Sequence, residues 1–160
     1  MKFDEDDLRI LRELQQNAKQ TVTELSKRLE LRPSTVYDKI SRMEEAGVIH
    51  AYRAILNDAA VGVPLTAFIL VSGRPNFNIE EAVLRDPRVL EVWGITGEYD
   101  ILVKGRFRDI DEFSSFVLSL REKHKENINR TETFISTIRI KETTAMPIKL
   151  SPSRQESMRR

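Results

Sequence analysis

The sequence predicts an α+β fold in two parts, in which an N-terminal winged helix-turn-helix is followed by a ferredoxin-like βαββαβ domain. Three observations support this fold class. Apolar residues recur at helical spacing through the first third of the chain. A short turn that ends in a proline separates two of these helices. Beyond residue 64 the pattern alternates as strand, helix, strand, strand, helix, strand.

The composition is that of a globular protein with one ordinary domain or two small ones. Its 160 residues are 40% hydrophobic and 32% charged, values typical of soluble chains. No apolar run approaches the roughly 18 residues that span a bilayer, and the N-terminus lacks a signal-peptide pattern. The absence of cysteine excludes disulfides and thiolate metal sites. We therefore expect a cytoplasmic protein, and the net charge of +1 limits any nucleic-acid-binding surface to a local patch.

Caps and apolar stripes mark the first two helices. Asp4 is a suitable N-cap for the first helix, and Thr21 with Glu24 fits the capping box of the second. Each helix has one apolar face, which is predicted to lie against a shared core. These positions are Leu8, Ile10, Leu11 and Leu14 in the first helix and Val22, Leu25 and Leu29 in the second. Residues 30–32 form the turn that follows.

A third helix begins at Pro33, because a missing N–H suits the first helical position. Val36, Ile40 and Met43 recur at helical spacing and are predicted to face the core. Gly47 is the predicted end of the helix, since glycine tolerates the left-handed conformation there. Residues 48–56 then have the pattern of a strand, which would make a wing or a hinge.

The outer face of the third helix combines hydroxyl groups with cations, which is typical of a helix that enters the major groove of DNA. Cations there neutralise phosphates, and polar side chains contact base edges. The candidate DNA-binding residues are Arg32, Ser34, Thr35, Tyr37, Asp38, Lys39, Arg42 and Arg53. Double-stranded DNA is therefore a predicted partner. The alternative is a three-helix bundle whose polar face is only solvated.

The second part follows the alternating pattern in order. Strands are predicted over 65–72, 89–96, 100–107 and 131–140, and helices over 78–84 and 109–123. Asn78 and Asp109 are the predicted caps. This order predicts an antiparallel sheet with both helices on one face. The apolar run from Phe68 to Val71 is continuous, which suggests burial on both faces and hence pairing with a second copy.

These patterns divide the chain into four segments. They are a winged helix-turn-helix domain over 1–52, a hinge or linker strand over 53–64, a ferredoxin-like effector-binding and oligomerisation domain over 65–145, and a basic C-terminal tail over 146–160. The tail is polar and basic from Ser151 onward, and we expect that stretch to be disordered. Trp93 is expected in the core of the second domain.

Two sets of residues give the chain a specific resemblance. The first set is Asp7, Ile10, Leu11, Thr21, Glu24, Leu25, Ser26, Pro33, Ser34, Thr35, Val36, Ile40, Met43, Glu44, Gly47, Val48 and Ile49. The second is Val92 and Trp93, then Thr96-Gly97-Glu98-Tyr99-Asp100, then Thr131-Glu132-Thr133. Together they resemble the Lrp/AsnC family, also called feast/famine regulators, over about residues 3–140. A helix-turn-helix occurs in many families, and its pairing with the second set is far more specific.

The resemblance implies a transcriptional regulator that dimerises through its C-terminal sheets and often assembles into octamers. It also implies that a winged helix-turn-helix binds paired DNA half-sites. Small effectors, usually amino acids, bind between dimers near the loop that matches Thr96 to Asp100, and they shift assembly and DNA occupancy. The candidate effector-binding residues are Thr96, Gly97, Glu98, Tyr99, Asp100, Thr131 and Thr133. The alternative is a tight turn without a ligand, since some members work without any effector.

The candidate effector loop has groups that suit an amino acid. Gly97 allows backbone N–H groups to approach a carboxylate closely. Asp100 or Glu98 could then hold the ammonium group of the same ligand. Thr131 and Thr133 would add hydroxyl contacts from the last strand.

The sequence departs from the family pattern at three places. Arg32 stands where a serine cap is usual, which removes about 1 kcal/mol of capping. Lys39 stands where arginine is common, so a point charge replaces bidentate contact. The tail after Ala145 extends past the usual end.

Two other functions remain open. Relatives of the same architecture include sirohaem decarboxylases, and an architectural DNA-binding protein would need no effector. Of the two histidines, His50 is expected beside the wing and His124 is expected to be solvated among lysines. Neither belongs to a visible catalytic constellation. We therefore predict no catalytic residues, no metal site and no cofactor other than an amino acid effector.

Overall fold

The computed structural model describes residues 2–74, 79 and 81–150, with the backbone alone for Glu81 and Ala82. These residues form two compact units: one contains the chain up to Ala54 and from Glu142, and the other is Ile55–Lys141. The predicted cap Asn78 and the stretch from Ser151 that was expected to be disordered lie outside the described residues. No helix in the described ranges has the length and apolar character needed to cross a membrane.

The first unit contains α1 (Glu5–Gln16), α2 (Val22–Leu29) and α3 (Pro33–Glu45). The side chains of Asp4 and Thr21 cap the first two helices as predicted. Arg32 gives α3 no side-chain cap, so Pro33 alone favours the start of that helix. The core consists of Ile10, Leu14, Leu25, Leu29, Val36 and Met43. The helical spacing predicted all six of these residues, and Leu11, Val22 and Ile40 pack against them. Leu8, which was predicted for the same core, is only half-buried and is not part of this cluster.

The end of α3 shows why the strand predicted over 48–56 is absent. Gly47 has φ of +66°, which lets the chain turn back on the helix. The N–H groups of Val48 and Ile49 then both donate to the carbonyl of Met43, at 2.8 and 3.1 Å. Residues 50–57 have no regular secondary structure, because in the described part of the chain no strand lies beside them to supply a ladder. The prediction of a strand over residues 48–56 is therefore wrong for this protomer.

The second unit contains β1 (Leu65–Gly73), α4 (Glu81–Leu84), β2 (Val89–Gly94), β3 (Ile101–Phe107), α5 (Ile110–Lys123) and β4 (Ile128–Ile135). The four strands form one antiparallel sheet in the order β2-β3-β1-β4. Both helices pack on the same face, where Phe107 contacts Phe113 and Phe116 with ring centroids 5.2 and 5.4 Å apart. This is the predicted ferredoxin-like arrangement.

The last strand occupies 128–135 instead of the predicted 131–140. The register with β1 explains the shift, because Ala67 pairs with Ile135 and Ser136 donates to Thr66. Pro64 immediately precedes the first residue of β1, and a proline cannot donate to a ladder. Residues 137–140 therefore have no strand to continue along.

The expectations for Trp93 and His124 are both wrong. Trp93 pairs with Leu102 on the face of the sheet opposite the helices, and 57% of its surface is exposed. The alternation of side chains along β2 turns Val92 toward the core instead. His124 is buried instead of solvated. It is the C-cap residue of α5, and its carbonyl accepts from the N–H groups of Asn127 and Ile128.

Residues 142–150 belong to the first unit and contact α1. The side-chain amide of Gln15 pairs with the backbone of Met146: its nitrogen donates to the Met146 carbonyl at 3.2 Å, and its oxygen accepts from the Met146 N–H. Ile148 and Leu150 are half-buried. The beginning of the basic tail is therefore attached to the first helix.

Gly105→Ala is expected to lower the free energy of unfolding by about 1 to 3 kcal/mol, because the core has no space for another methyl group. A Cβ at this position would lie 2.8 Å from Cε2 of Phe107 and 3.1 Å from the carbonyl oxygen of Arg88. Gly94→Ala is the matched control, since nothing lies within 4 Å of its Cβ. Urea unfolding should separate the two variants, and equal midpoints would contradict the packing described for β3.

Candidate DNA-binding helix and effector site

The inner face of α3 is fixed by the core, and this determines what its outer face presents. Val36 and Met43 are fully buried. On the opposite side the structure leaves Tyr37 61% exposed and Arg42 about half exposed. Of the other candidate DNA-binding residues, Arg32, Ser34, Asp38 and Arg53 are exposed, Thr35 is half-buried and Lys39 is largely buried.

A buried carboxylate ties α1 to α3. The side chain of Asp7 is only 1% exposed and receives Nη2 of Arg42 at 2.7 and 2.8 Å and Nζ of Lys39 at 3.0 Å. Asp4 adds a second carboxylate, at 2.5 Å from the same lysine. Asp7 also completes the capping box of α1 by accepting from the N–H of Asp4. The carboxylate of Asp7 therefore holds both the start of α1 and the middle of α3.

In this cluster the contact between Asp4 and Lys39 favours the charged form of both side chains. The hydrogen bond from Lys39 lowers the pKa of Asp4. Burial acts to lower the pKa of Lys39, but its hydrogen bonds with Asp4 and Asp7 outweigh burial, so that this pKa is raised. Both groups are charged at neutral pH. The positive charge that Lys39 presents outward is accordingly smaller than the sequence suggested, while half of Arg42 remains accessible.

Tyr52 holds the start of the connecting segment against α3. Its hydroxyl donates to Oε1 of Glu44 at 2.9 Å. Burial, together with this hydrogen bond, raises the pKa of Tyr52 to about 12. Arg53 follows Tyr52 in the chain and is exposed. The contact of Tyr52 with Glu44 therefore keeps Arg53 near the C-terminal end of α3.

The connection between β2 and β3 contains the five residues of the candidate effector loop. Gly97 has φ of +127°, which other residues rarely adopt. Oδ2 of Asp100 accepts from the N–H of Gly73 at 2.8 Å, and the backbone N–H of Asp100 donates to Val71 at 3.0 Å. Asp100 thus joins the loop to the end of β1, while Thr96 and Glu98 are exposed.

Two contacts join this loop to β4. The buried Tyr99 donates its hydroxyl to Glu132, and this hydrogen bond raises the pKa of Tyr99. Glu98 accepts from Nη1 of Arg130 at 2.6 Å, and the guanidinium carbon of that arginine lies 5.5 Å from the centre of the Tyr99 ring. The loop and the last strand, which the sequence suggested separately, therefore form one structural feature.

The candidate threonines occupy neighbouring positions on β4. Thr131 pairs with Val71 and is half-buried, and Thr133 pairs with Ile69 and is exposed. Thr131 also lines a groove of about 490 Å³ between α5 and the edge of the sheet. The other lining residues are Leu118, Arg121, Glu122, Lys125, Ile128, Asn129 and Arg130. The candidate residues of the loop itself do not line this groove.

Sequence reasoning missed Asp7 as a structural residue and Arg130 as a partner of the loop. Asp7 sits three residues after a capping aspartate, a spacing that signals a capping box, but nothing local indicates its burial. Arg130 precedes the Thr-Glu-Thr motif, and only the pairing of β4 with β1 brings it near the loop.

Two family models match the chain and cover most of its length. Residues 3–50 match a model described as winged helix-turn-helix DNA-binding. Residues 66–146 match the model of the Lrp/AsnC ligand binding domain. The boundary between the matches falls in the segment that separates α3 from β1.

The similarity to known proteins extends over nearly the whole chain. The HTH-type transcriptional regulator FL11 of Pyrococcus abyssi is 35% identical over 149 residues, which cover 92% of this chain and 97% of the relative. A solved transcriptional regulator of Neisseria meningitidis in complex with L-Met is 34% identical with a TM-score of 0.81, covering 91% of this chain and 97% of that one. Escherichia coli AsnC is 25% identical with a TM-score of 0.78, covering 90% and 98%. These proteins are transcriptional regulators and not enzymes.

Proposed function

Because this chain belongs to the Lrp/AsnC family of DNA-binding transcriptional regulators, we propose that an amino acid effector shifts its assembly state and thereby its occupancy of DNA in the cytoplasm. The observation that carries the DNA-binding part of the proposal is the outer face of α3, where exposed polar and aromatic side chains lie on a helix fixed by a buried core and a buried carboxylate. A helix held in this way can enter the major groove without further ordering.

The DNA contacts divide by their chemistry. Arg32 and Arg53 are exposed cations that suit phosphates, which supply affinity without sequence information. Arg42 is paired with Asp7, and its exposed half can still contact a phosphate. Tyr37 and Thr35 lie on the same helix and suit base edges or the thymine methyl group. Ser34 and Asp38 complete the exposed set, and Lys39 contributes mainly by holding α1.

Tyr37→Ala is expected to weaken binding to the protein's own promoter fragment by about tenfold, since one good base contact contributes about 1 to 3 kcal/mol. Binding to unrelated DNA should change much less. Leu84→Ala is a suitable control, because it removes a similarly exposed side chain from the other unit. Gel-shift titrations at two salt concentrations measure both effects. If Tyr37→Ala binds the promoter as tightly as the unaltered protein, this helix is not the base-reading element.

The open face of the sheet supports assembly into a homodimer. Phe68, Leu70 and Leu102 are half-buried on this face, and Trp93 and Phe134 are about half exposed. Apolar side chains in such a continuous patch are typical of a protein interface. We propose that a second copy covers this face and that effector binding governs further assembly, up to an octamer.

The effector is proposed to bind where the loop and β4 meet. Support comes from Gly97, whose φ of +127° lets the backbone of the loop adopt a conformation that other residues rarely allow, and from Thr131 beside the groove. The relative from Neisseria meningitidis, whose structure holds L-Met, makes an amino acid the preferred class of ligand. Gel shifts with and without each of the twenty amino acids test the proposal. A protein that shifts unrelated DNA equally well and ignores every amino acid would instead be architectural.

A further inference from the structure

The groove beside β4 has an arrangement of charge that favours one class of ligand. Leu118, Arg121 and Glu122 lie on α5, and Lys125 follows just after its end. Their spacing of three and four residues places the three helical side chains on one face of the helix. Ile128, Asn129 and Thr131 form the opposite wall on the edge strand. The volume of about 490 Å³ lies in the range of small-molecule sites.

The charged groups of this groove differ in whether they already have partners. Arg130 is bound to Glu98 at 2.6 Å and is therefore neutralised. Arg121, Glu122 and Lys125 are exposed, and no hydrogen bond or ion pair of theirs occurs among the residues that the structure describes. The groove thus offers two uncompensated cations and one uncompensated carboxylate.

From this arrangement we propose that the groove binds a dicarboxylic amino acid, such as aspartate or glutamate. The two carboxylates of that ligand match Arg121 and Lys125, and its ammonium group matches Glu122. The methylene groups would lie against Leu118 and Ile128, and Asn129 and Thr131 supply neutral hydrogen-bonding groups. This inference rests on the proposed function, because it names the class of effector.

The dipole of α5 does not reverse this preference. The C-terminus of a helix acts as about half a negative charge. Arg121 and Lys125 together with Glu122 leave a net charge of +1 in the groove, which exceeds that value. In addition, the carbonyl of His124 already accepts from Asn127 and Ile128 at 2.8 Å, which satisfies part of the helix end.

Binding of this ligand connects naturally with the candidate effector loop. Arg130 lines the groove and is the partner of Glu98, and its guanidinium lies over Tyr99. A carboxylate held by Arg121 or Lys125 would also face Arg130, which lines the same groove, and would compete with Glu98 for that arginine. The competition would release Glu98 and alter the candidate effector loop over residues 96–100.

Isothermal titration calorimetry of the full chain with L-aspartate and L-glutamate tests the proposal. L-Asparagine and L-glutamine are matched ligands in which one carboxylate is replaced by an amide, and they should bind at least tenfold more weakly. L-Methionine and L-lysine are the comparison ligands. We expect neither of them to bind as tightly as the better of the two acidic amino acids.

Arg121→Ala and Lys125→Ala should each weaken binding of the acidic amino acid by about tenfold or more, since hydrogen bonds to charged groups contribute strongly. Lys123→Ala is the matched control, because Lys123 is an exposed cation in the last turn of α5 that does not line the groove. Its substitution should leave binding unchanged.

The outcomes separate this inference from the proposed function. Tight binding of methionine or another neutral amino acid, with weak binding of aspartate and glutamate, would overturn the ligand class and leave the regulator with an amino acid effector. Acidic ligands that bind the Arg121→Ala and Lys125→Ala variants normally would remove the groove as their site. A protein that binds its promoter and no amino acid at all would overturn both the inference and the proposed effector.

Discussion

Replacing Asp7 with alanine is expected to lower the free energy of unfolding of the N-terminal unit by about 3 to 5 kcal/mol. The substitution removes the carboxylate that receives Lys39 and Arg42, while Lys39 remains largely buried. The cost is large because the lysine would keep only Asp4, whose side chain is 60% exposed. The capping box of α1 is lost in the same step.

The result can be measured by urea unfolding followed by circular dichroism at 222 nm, which reports on the helices. Asp6→Ala is the control, because Asp6 pairs with Arg9 on the surface at 3.0 Å and such pairs contribute little. DNA binding by Asp7→Ala should fall at temperatures where the unit is still folded, since α3 loses one of its attachments to α1. Equal stability of the Asp6 and Asp7 variants would show that the buried cluster is not a structural element.

Local signals in the sequence were sufficient for most of the fold. Asp4, Thr21 and Asp109 cap the helices that they were predicted to cap. These signals work because a cap depends on backbone groups within three or four residues. The order of strands and helices also followed from periodicity, because each strand and helix has one apolar face that must be buried.

What could not be predicted depends on partners that are distant in the chain. Asp7 and Arg42 are 35 residues apart, and Asp7 has the sequence context of an ordinary exposed carboxylate. The end of β4 depends on its register with β1, and the strand predicted over 48–56 needed a neighbour that the described protomer does not contain. The candidate effector residues could be placed on a loop, but the arginine at 130 joins that loop only through sheet pairing.

The apolar run from Phe68 to Val71 depends partly on local alternation and partly on contacts that are distant in the chain. Alternation along β1 explains half of it, since Ile69 and Val71 are buried under the helices. The other half, Phe68 and Leu70, lies on the face opposite the helices, where Trp93 and Phe134 are about half exposed. The exposure of this half of the run supports the proposal that a second copy covers the face, and that proposal can be tested.

Leu70→Glu is expected to convert the proposed dimer to a monomer and to weaken DNA binding by at least about a hundredfold. Leu70 is in a central strand and pairs with Leu102 on one side and Glu132 on the other. In the proposed dimer a carboxylate at position 70 would be buried in the interface next to Glu132, where burial and the neighbouring like charge both disfavour its charged form. The loss of DNA affinity follows because two linked half-site readers gain about 10² to 10⁴ in avidity over one.

Light scattering after size exclusion measures the mass of the assembly, and gel shifts with a whole site and an isolated half-site measure the avidity. Leu84→Glu is the control, since this leucine is about half exposed on the helical layer. It should leave the mass and the DNA affinity unchanged. The two measurements are linked: a Leu70→Glu protein that is monomeric should bind the whole site no better than the half-site. A variant that remains dimeric would place the self-pairing surface elsewhere on the molecule.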